Sequence, residues 1–175
     1  MSGPLSIIAA AFLVVLAFII TYYDVCYRRI PNPFVLATLL VGIFLNTINA
    51  GLSGTLSSLA GCAAGFAIMF CLHLFGAMGA GDVKLFAAVA SVTGAQLVLP
   101  TFLVVAIIGG VLGVVSMVRA GQIKLTMMRV LQIILGILPG HSVPRFPVPA
   151  DRRLTIPYGV AITFGSFISL IVFRA

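Results

Sequence analysis

Residues 4–33 read "PLSIIAAAFLVVLAFIITYYDVCYRRIPNP". The run from Pro4 to Tyr23 carries no charge. At a rise of about 1.5 Å per residue it is long enough to cross a bilayer core of roughly 30 Å as one helix. Tyr22, Tyr23 and Tyr27 suit the membrane–water interface. Asp24, Arg28 and Arg29 then mark the end of the crossing, and Pro31 and Pro33 break the helix. No basic segment precedes the apolar run, so it reads as a retained first helix and not as a cleaved signal peptide.

The same pattern recurs along the chain. A second span is expected from about Phe34 to Asn49, the uncharged turn "NAGLSG" (49–54) follows, and a third span runs from about Thr55 to Phe75. After "GAMGAGD" (76–82) the apolar stretch Val83 to Val92 is short for a crossing and predicts a tilted or truncated fourth helix. A turn near Gly94 leads to a span from about Leu97 to Val118, and the last span covers about Ile156 to Phe173. Between these two, "LTMMRVLQIILGIL" (125–138) is apolar but short and flanked by charge, which favours a helix lying in the interface. With 62% hydrophobic and 7% charged residues, against roughly a quarter charged in soluble domains, the chain is expected to be an all-α integral membrane protein. It has about six transmembrane helices plus the interfacial one, in a single domain over residues 1–175.

The ten Lys and Arg residues outweigh three acids. Cytoplasmic loops of membrane proteins collect such charge, and no basic, aromatic-interleaved soluble module is present, so nucleic acid is not an expected partner. With the N-terminus outside, Arg28, Arg29, Lys84 and the stretch Arg119 to Arg153 all fall on the cytoplasmic side. Six crossings put both termini outside the cytoplasm. Cys26, Cys62 and Cys71 form no CxxC pair, and His73 and His141 are isolated, so neither disulfides nor a metal site is expected, and no cofactor.

The three acids are Asp24, Asp82 and Asp151. Asp151 adjoins Arg152 and Arg153 and reads as an exposed ion pair. Asp82 at the head of a helix has a structural use as a cap, and Asp24 can be balanced by Arg28 one turn along. Yet both lie at one membrane face, where an ionisable group costs about 2–3 kcal/mol and marks a candidate site. Two carboxylates brought close at low dielectric share a proton. The ionised one can then take a proton from water while the other protonates a scissile carbonyl oxygen, which is sufficient chemistry for amide hydrolysis. Gly79 and Gly81 beside Asp82 are candidate substrate-binding positions. Without Cβ atoms they let an extended peptide approach, and they let the chain enter its helix through a conformation that side chains resist.

Three blocks, "DVCYRRIPN" (Asp24 to Asn32), "GAGDVKLFAA" (Gly79 to Ala88) and "IPYGVAI" (Ile156 to Ile162), resemble the type IV prepilin peptidases, GxGD-type aspartic proteases of the membrane. The resemblance implies an aspartic endopeptidase of the bacterial plasma membrane with Asp24 and Asp82 as its catalytic acids. Its substrate would be a type IV prepilin or pseudopilin whose short basic leader is removed at the cytoplasmic face. Ile156, Pro157, Tyr158 and Gly159 match a block with a structural or site-supporting role. Longer relatives carry a cytoplasmic insertion with paired CxxC motifs and also methylate the new N-terminus. Here only a few residues separate Asp24 from the second span, which resembles the short, peptidase-only branch serving tight-adherence (Flp) pili. Archaeal preflagellin peptidases share the acids. The competing class is a non-enzymatic membrane component, a pilus-assembly factor or a small proton-coupled transporter. A transporter should show an internal repeat, and "GAGD" has no counterpart near "IPYG".

Overall fold

The computed structural model describes residues 4–27, 29–74, 78–119, 128 and 158–174, and among them all regular structure is helical. The helices are α1 (Pro4–Tyr27), α2 (Asn32–Leu74), α3 (Ala80–Thr93), α4 (Val98–Arg119) and α5 (Tyr158–Arg174), with a 3-10 turn at Ala95–Leu97 before α4. The interfacial helix expected at 125–138, apart from Met128, the basic loop with Asp151, and Ile156 and Pro157 lie outside the described residues.

Among the described residues three helices are long and apolar enough to cross a membrane: Ile7–Tyr27, Asn32–Leu74 and Ala95–Ser116. The expectation of about six has a physical reason to differ from three. α2 is bent at Ala50 and Gly51, where Gly51 has φ +58° and a side chain would be strained. The chain reverses there. Ser58 Oγ lies 3.1 Å from the Gly42 carbonyl oxygen, and the Thr47 and Thr55 hydroxyls meet at 2.7 Å, so the two arms run antiparallel. α2 thus contains the second and third expected apolar segments and the "NAGLSG" turn between them. α3 and α5, with 14 and 17 residues, are the short pair. At 14 residues α3 extends about 21 Å, less than a bilayer core.

α3 is short but central. From Val83 to Thr93 every residue except Lys84 is buried. Small residues on α2 allow this close approach. A Cβ on Gly42 would stand 2.7 Å from the Val92 nitrogen, and one on Gly61 would stand 2.5 Å from the Ala90 carbonyl oxygen. Where helices are surrounded by lipid, such contacts and interhelical hydrogen bonds hold them together, because burial against another apolar helix gains little. Ser58 Oγ donates to the Ser91 carbonyl at 2.7 Å, and Asn46 Nδ2 donates to the same carbonyl at 2.9 Å.

The other half of the bundle is α1, α5 and α4, with α5 packed between its two partners and also against α3. Leu13, Leu16, Ile20, Val105, Ile162 and Leu170 belong to the shared apolar core. Thr101 and Ser169 join α4 to α5 through a 2.8 Å hydroxyl pair. Large apolar side chains also cover the outside of every long helix, among them Phe18, Phe44, Leu52 and Ile107. That distribution belongs to helices solvated by lipid.

Candidate active site

The helix directions bring three helix ends together. α1 ends, α3 begins and α5 begins at the same end of the bundle. The α2 reversal at Ala50–Gly51 and the Gly94 turn lie at the other, where the Ala95 N–H donates to Ser57 Oγ at 3.2 Å.

Asp24 stands in the last turn of α1 and is only 7% exposed. A carboxylate at a helix C-terminus opposes the helix dipole, a cost of roughly 0.3–1 kcal/mol. The N-terminus of α5 supplies the compensation. The Gly159 N–H donates to Asp24 Oδ2 at 2.8 Å. A hydrogen bond to a charged group contributes roughly 1.5–3 kcal/mol, so the α5 contact outweighs the unfavourable dipole. The fit needs glycine. A Cβ at Gly159 would lie 2.8 Å from Asp24 Oδ2 and 2.9 Å from Ile20 Cγ2.

Asp82 is held locally. The Gly79 N–H donates to Asp82 Oδ2 at 3.2 Å, while the Asp82 N–H donates back to the Gly79 carbonyl at 3.1 Å. The carboxylate therefore caps its own helix, as its position at the head of α3 predicts. It precedes the apolar stretch Val83–Val92 and lies outside the three long spans. Burial, and then the neighbouring Asp24 carboxylate, push the Asp82 carboxyl up to about 6 against the opposing pull of the Gly79 amide. The two acids are thus close enough to feel each other's charge.

Tyr158 completes the surround. It neighbours Asp82 electrostatically, and its ring rests where α4 has Gly109, at which a Cβ would be 3.0 Å from Tyr158 Cε1. The first two residues of α5 are therefore placed against both acids. Sequence reasoning assigns this block a supporting role through resemblance alone, and no spacing rule connects Gly159 to a residue 135 positions earlier.

The glycines beside Asp82 differ from expectation in one respect. Gly79 has φ −77° and ψ 153°, ordinary extended backbone, and Gly81 sits inside α3. Among the described glycines only Gly51 and Gly94 have positive φ, so helix entry does not require a glycine conformation at either site residue. Space is the remaining reason. A Cβ at Gly79 would come within 3.3 Å of Asp82 Oδ2, whereas one at Gly81 would meet Ile30 at an ordinary 3.7 Å. Among the described residues no group of three or more His, Cys, Asp or Glu side chains could hold a metal ion.

A model of the type IV leader peptidase family matches residues 11–114, more than half of the chain. The match takes in Asp24, Gly79, Gly81 and Asp82 and stops before the "IPYGVAI" block. No curated protein and no solved structure matches the chain.

Proposed function

Because the chain belongs to the type IV leader peptidase family, we propose that it is a membrane aspartic endopeptidase that removes the leader of a type IV prepilin or pseudopilin. The observation that carries the reading is the convergence of Asp24 and Asp82 at one end of the bundle, each with a backbone N–H on one carboxylate oxygen.

In the proposed reaction Asp24 is the base and Asp82 holds the shared proton. Water between them attacks the scissile carbonyl carbon, its proton passes to Asp24, and the carbonyl oxygen takes the proton of Asp82. The tetrahedral intermediate collapses as Asp24 gives its proton to the leaving nitrogen and Asp82 recovers one from the hydroxyl that becomes the new carboxyl group. One water is consumed and both acids return to their starting states. Asp82 is assigned the acid role because burial and the neighbouring Asp24 carboxylate raise its carboxyl to about 6. Gly79 and Gly81 leave an uncluttered edge along which an extended substrate backbone can lie.

The site faces the cytoplasm of a plasma-membrane protein whose termini are both outside. This reading rests on the positive-inside bias. Arg29, Lys84 and Arg119 all belong to the end of the bundle that carries the acids, and Arg174 to the opposite end. A prepilin fits such a site, since its basic leader remains in the cytoplasm while its apolar helix enters the membrane beside the bundle.

Co-expression with a prepilin and a gel-shift readout tests the function. Asp24→Asn and Asp82→Asn, made separately, are each expected to lower cleavage by at least about 100-fold. Wild-type cleavage by either variant at equal protein level overturns the two-acid mechanism.

A further inference from the structure

His73 has no part in the chemistry above, yet it is tied to Asp82 through a single peptide group. It lies in the last turn of α2, half-buried, with its ring 6.2 Å from that of Phe70. Its Nδ1 is 2.8 Å from the Met78 carbonyl oxygen. A carbonyl only accepts, so Nδ1 carries the proton and the tautomer is settled by its partner. The Met78 carbonyl and the Gly79 N–H belong to one planar unit. The other end of that unit donates to Asp82 Oδ2 at 3.2 Å. The order is therefore imidazole N–H to peptide carbonyl, then peptide N–H to carboxylate.

We propose that His73 is a positioning residue for Asp82: by gripping the Met78 carbonyl it fixes the plane of the Met78–Gly79 peptide and directs the Gly79 N–H onto the carboxylate. The unit needs such a grip. Gly79 has no side chain to limit rotation of the peptide, and α3 begins only at Ala80. Hydrogen bonds in series also polarise one another, so donation into the carbonyl makes the amide a better donor at the other end. The link joins the end of the α2 hairpin to the start of α3 beside the acid. It gives the protein a means of setting the proton affinity of Asp82 without placing another charge in the site.

The sign of the effect follows from the chemistry. The Gly79 N–H favours the charged carboxylate, so loosening it makes Asp82 hold its proton to higher pH. The titratable groups set around Asp82 are Asp24 from α1 and Tyr158 from α5, with Lys84 two residues further along α3. None of these is altered by substitution at His73.

This inference rests on the two-acid reading, and its test reads the carboxyl directly. All the acids of the chain are aspartates, three in number. The purified full-length protein, labelled with carboxyl-13C aspartate in detergent, can be titrated by infrared spectroscopy, with Asp82→Asn identifying the Asp82 band. His73→Phe keeps a ring against Phe70 and removes the donor. It is expected to raise the midpoint of that band by roughly half to one pH unit, the scale of one weakened hydrogen bond to a carboxylate. His73→Asn places an amide nitrogen where Nδ1 stood and is expected to restore the wild-type midpoint. An unmoved band in His73→Phe, or an equal movement in His73→Phe and His73→Asn, overturns the proposal whatever happens to cleavage. Should His73→Phe fail to accumulate, His73→Asn against His73→Gln makes the same comparison, since the extra methylene of Gln carries its nitrogen past the carbonyl; equal midpoints for the two reject the grip. Prepilin cleavage by Asp82→Asn separates the two levels. Normal cleavage there removes the two-acid reading, whereas an inactive Asp82→Asn with an unmoved His73→Phe band removes only the role of His73.

Discussion

Asp24 and Asp82 are both carboxylates served by an amide at the beginning of a helix, but the two amides have different origins. The donor to Asp82 is three residues upstream, at the cap of its own helix, and the donor to Asp24 is 135 residues downstream, on α5. The first contact spans three residues at the start of α3. The second exists only when α5 is docked against α1, because α1 itself presents Asp24 at the wrong end of its dipole. One half of the candidate site is thus a local property of "GAGD", and the other is a product of assembling the bundle.

That contrast is most easily broken at Gly159. Gly159→Val inserts atoms within 2.8 Å of Asp24 Oδ2 and is expected to lower prepilin cleavage roughly 10- to 100-fold, the scale of a displacement of about 1 Å in a catalytic group. The comparison of gel-shift rates at matched protein level checks it, and unchanged cleavage would mean that α5 does not position Asp24.

The acid–base assignment is sharpened by pH. With the Asp82 carboxyl raised to about 6, the protonated form required of a general acid dominates below that pH and is lost above it. Cleavage is expected to fall by roughly tenfold per pH unit on the alkaline side. A profile that rises through this range instead assigns the base role to Asp82.

Smaller effects separate the two glycines of the local half. Gly79→Ala crowds Asp82 Oδ2 at 3.3 Å and is expected to lower cleavage by a few-fold. Gly81→Ala meets only an ordinary contact with Ile30. In the first turn of α3 it should raise stability by at most about 0.5 kcal/mol, less than in a helix interior, read as a slightly higher melting temperature in detergent. If cleavage nevertheless drops in Gly81→Ala, the missing Cβ serves the substrate; if it does not, Gly81 belongs to the helix alone.

Much of the site is legible in the amino-acid sequence. Asp24 and Asp82 stand out because charge is rare in this chain, and the short length of the fourth apolar segment is what α3 shows. The capping of α3 by Asp82 follows from its place at the head of that helix. The reversal inside α2 is legible as a turn in "NAGLSG", although helical structure runs almost unbroken through it. Backbone freedom at Gly79 and Gly81 is an expectation the molecule does not meet, because among the described glycines the positive-φ positions are Gly51 and Gly94, at the other end of the bundle. A glycine's use for space or for backbone freedom cannot be told apart without its neighbours.

The sequence by itself determined the solvent, the lengths of the apolar segments, the end of the bundle where the acids belong, and the cap at Asp82. These depend on transfer of whole segments into lipid and on contacts between near neighbours, both of which can be read residue by residue. Only the tertiary structure decided which helix faces meet: α3 inside the α2 hairpin, α5 between α1 and α4, and the Gly159 amide on Asp24. The physical reason is that a helix in lipid is apolar on its outer face as well as its inner one. Its hydrophobic pattern therefore says that it belongs in the membrane and leaves unsaid which side packs against the rest of the protein.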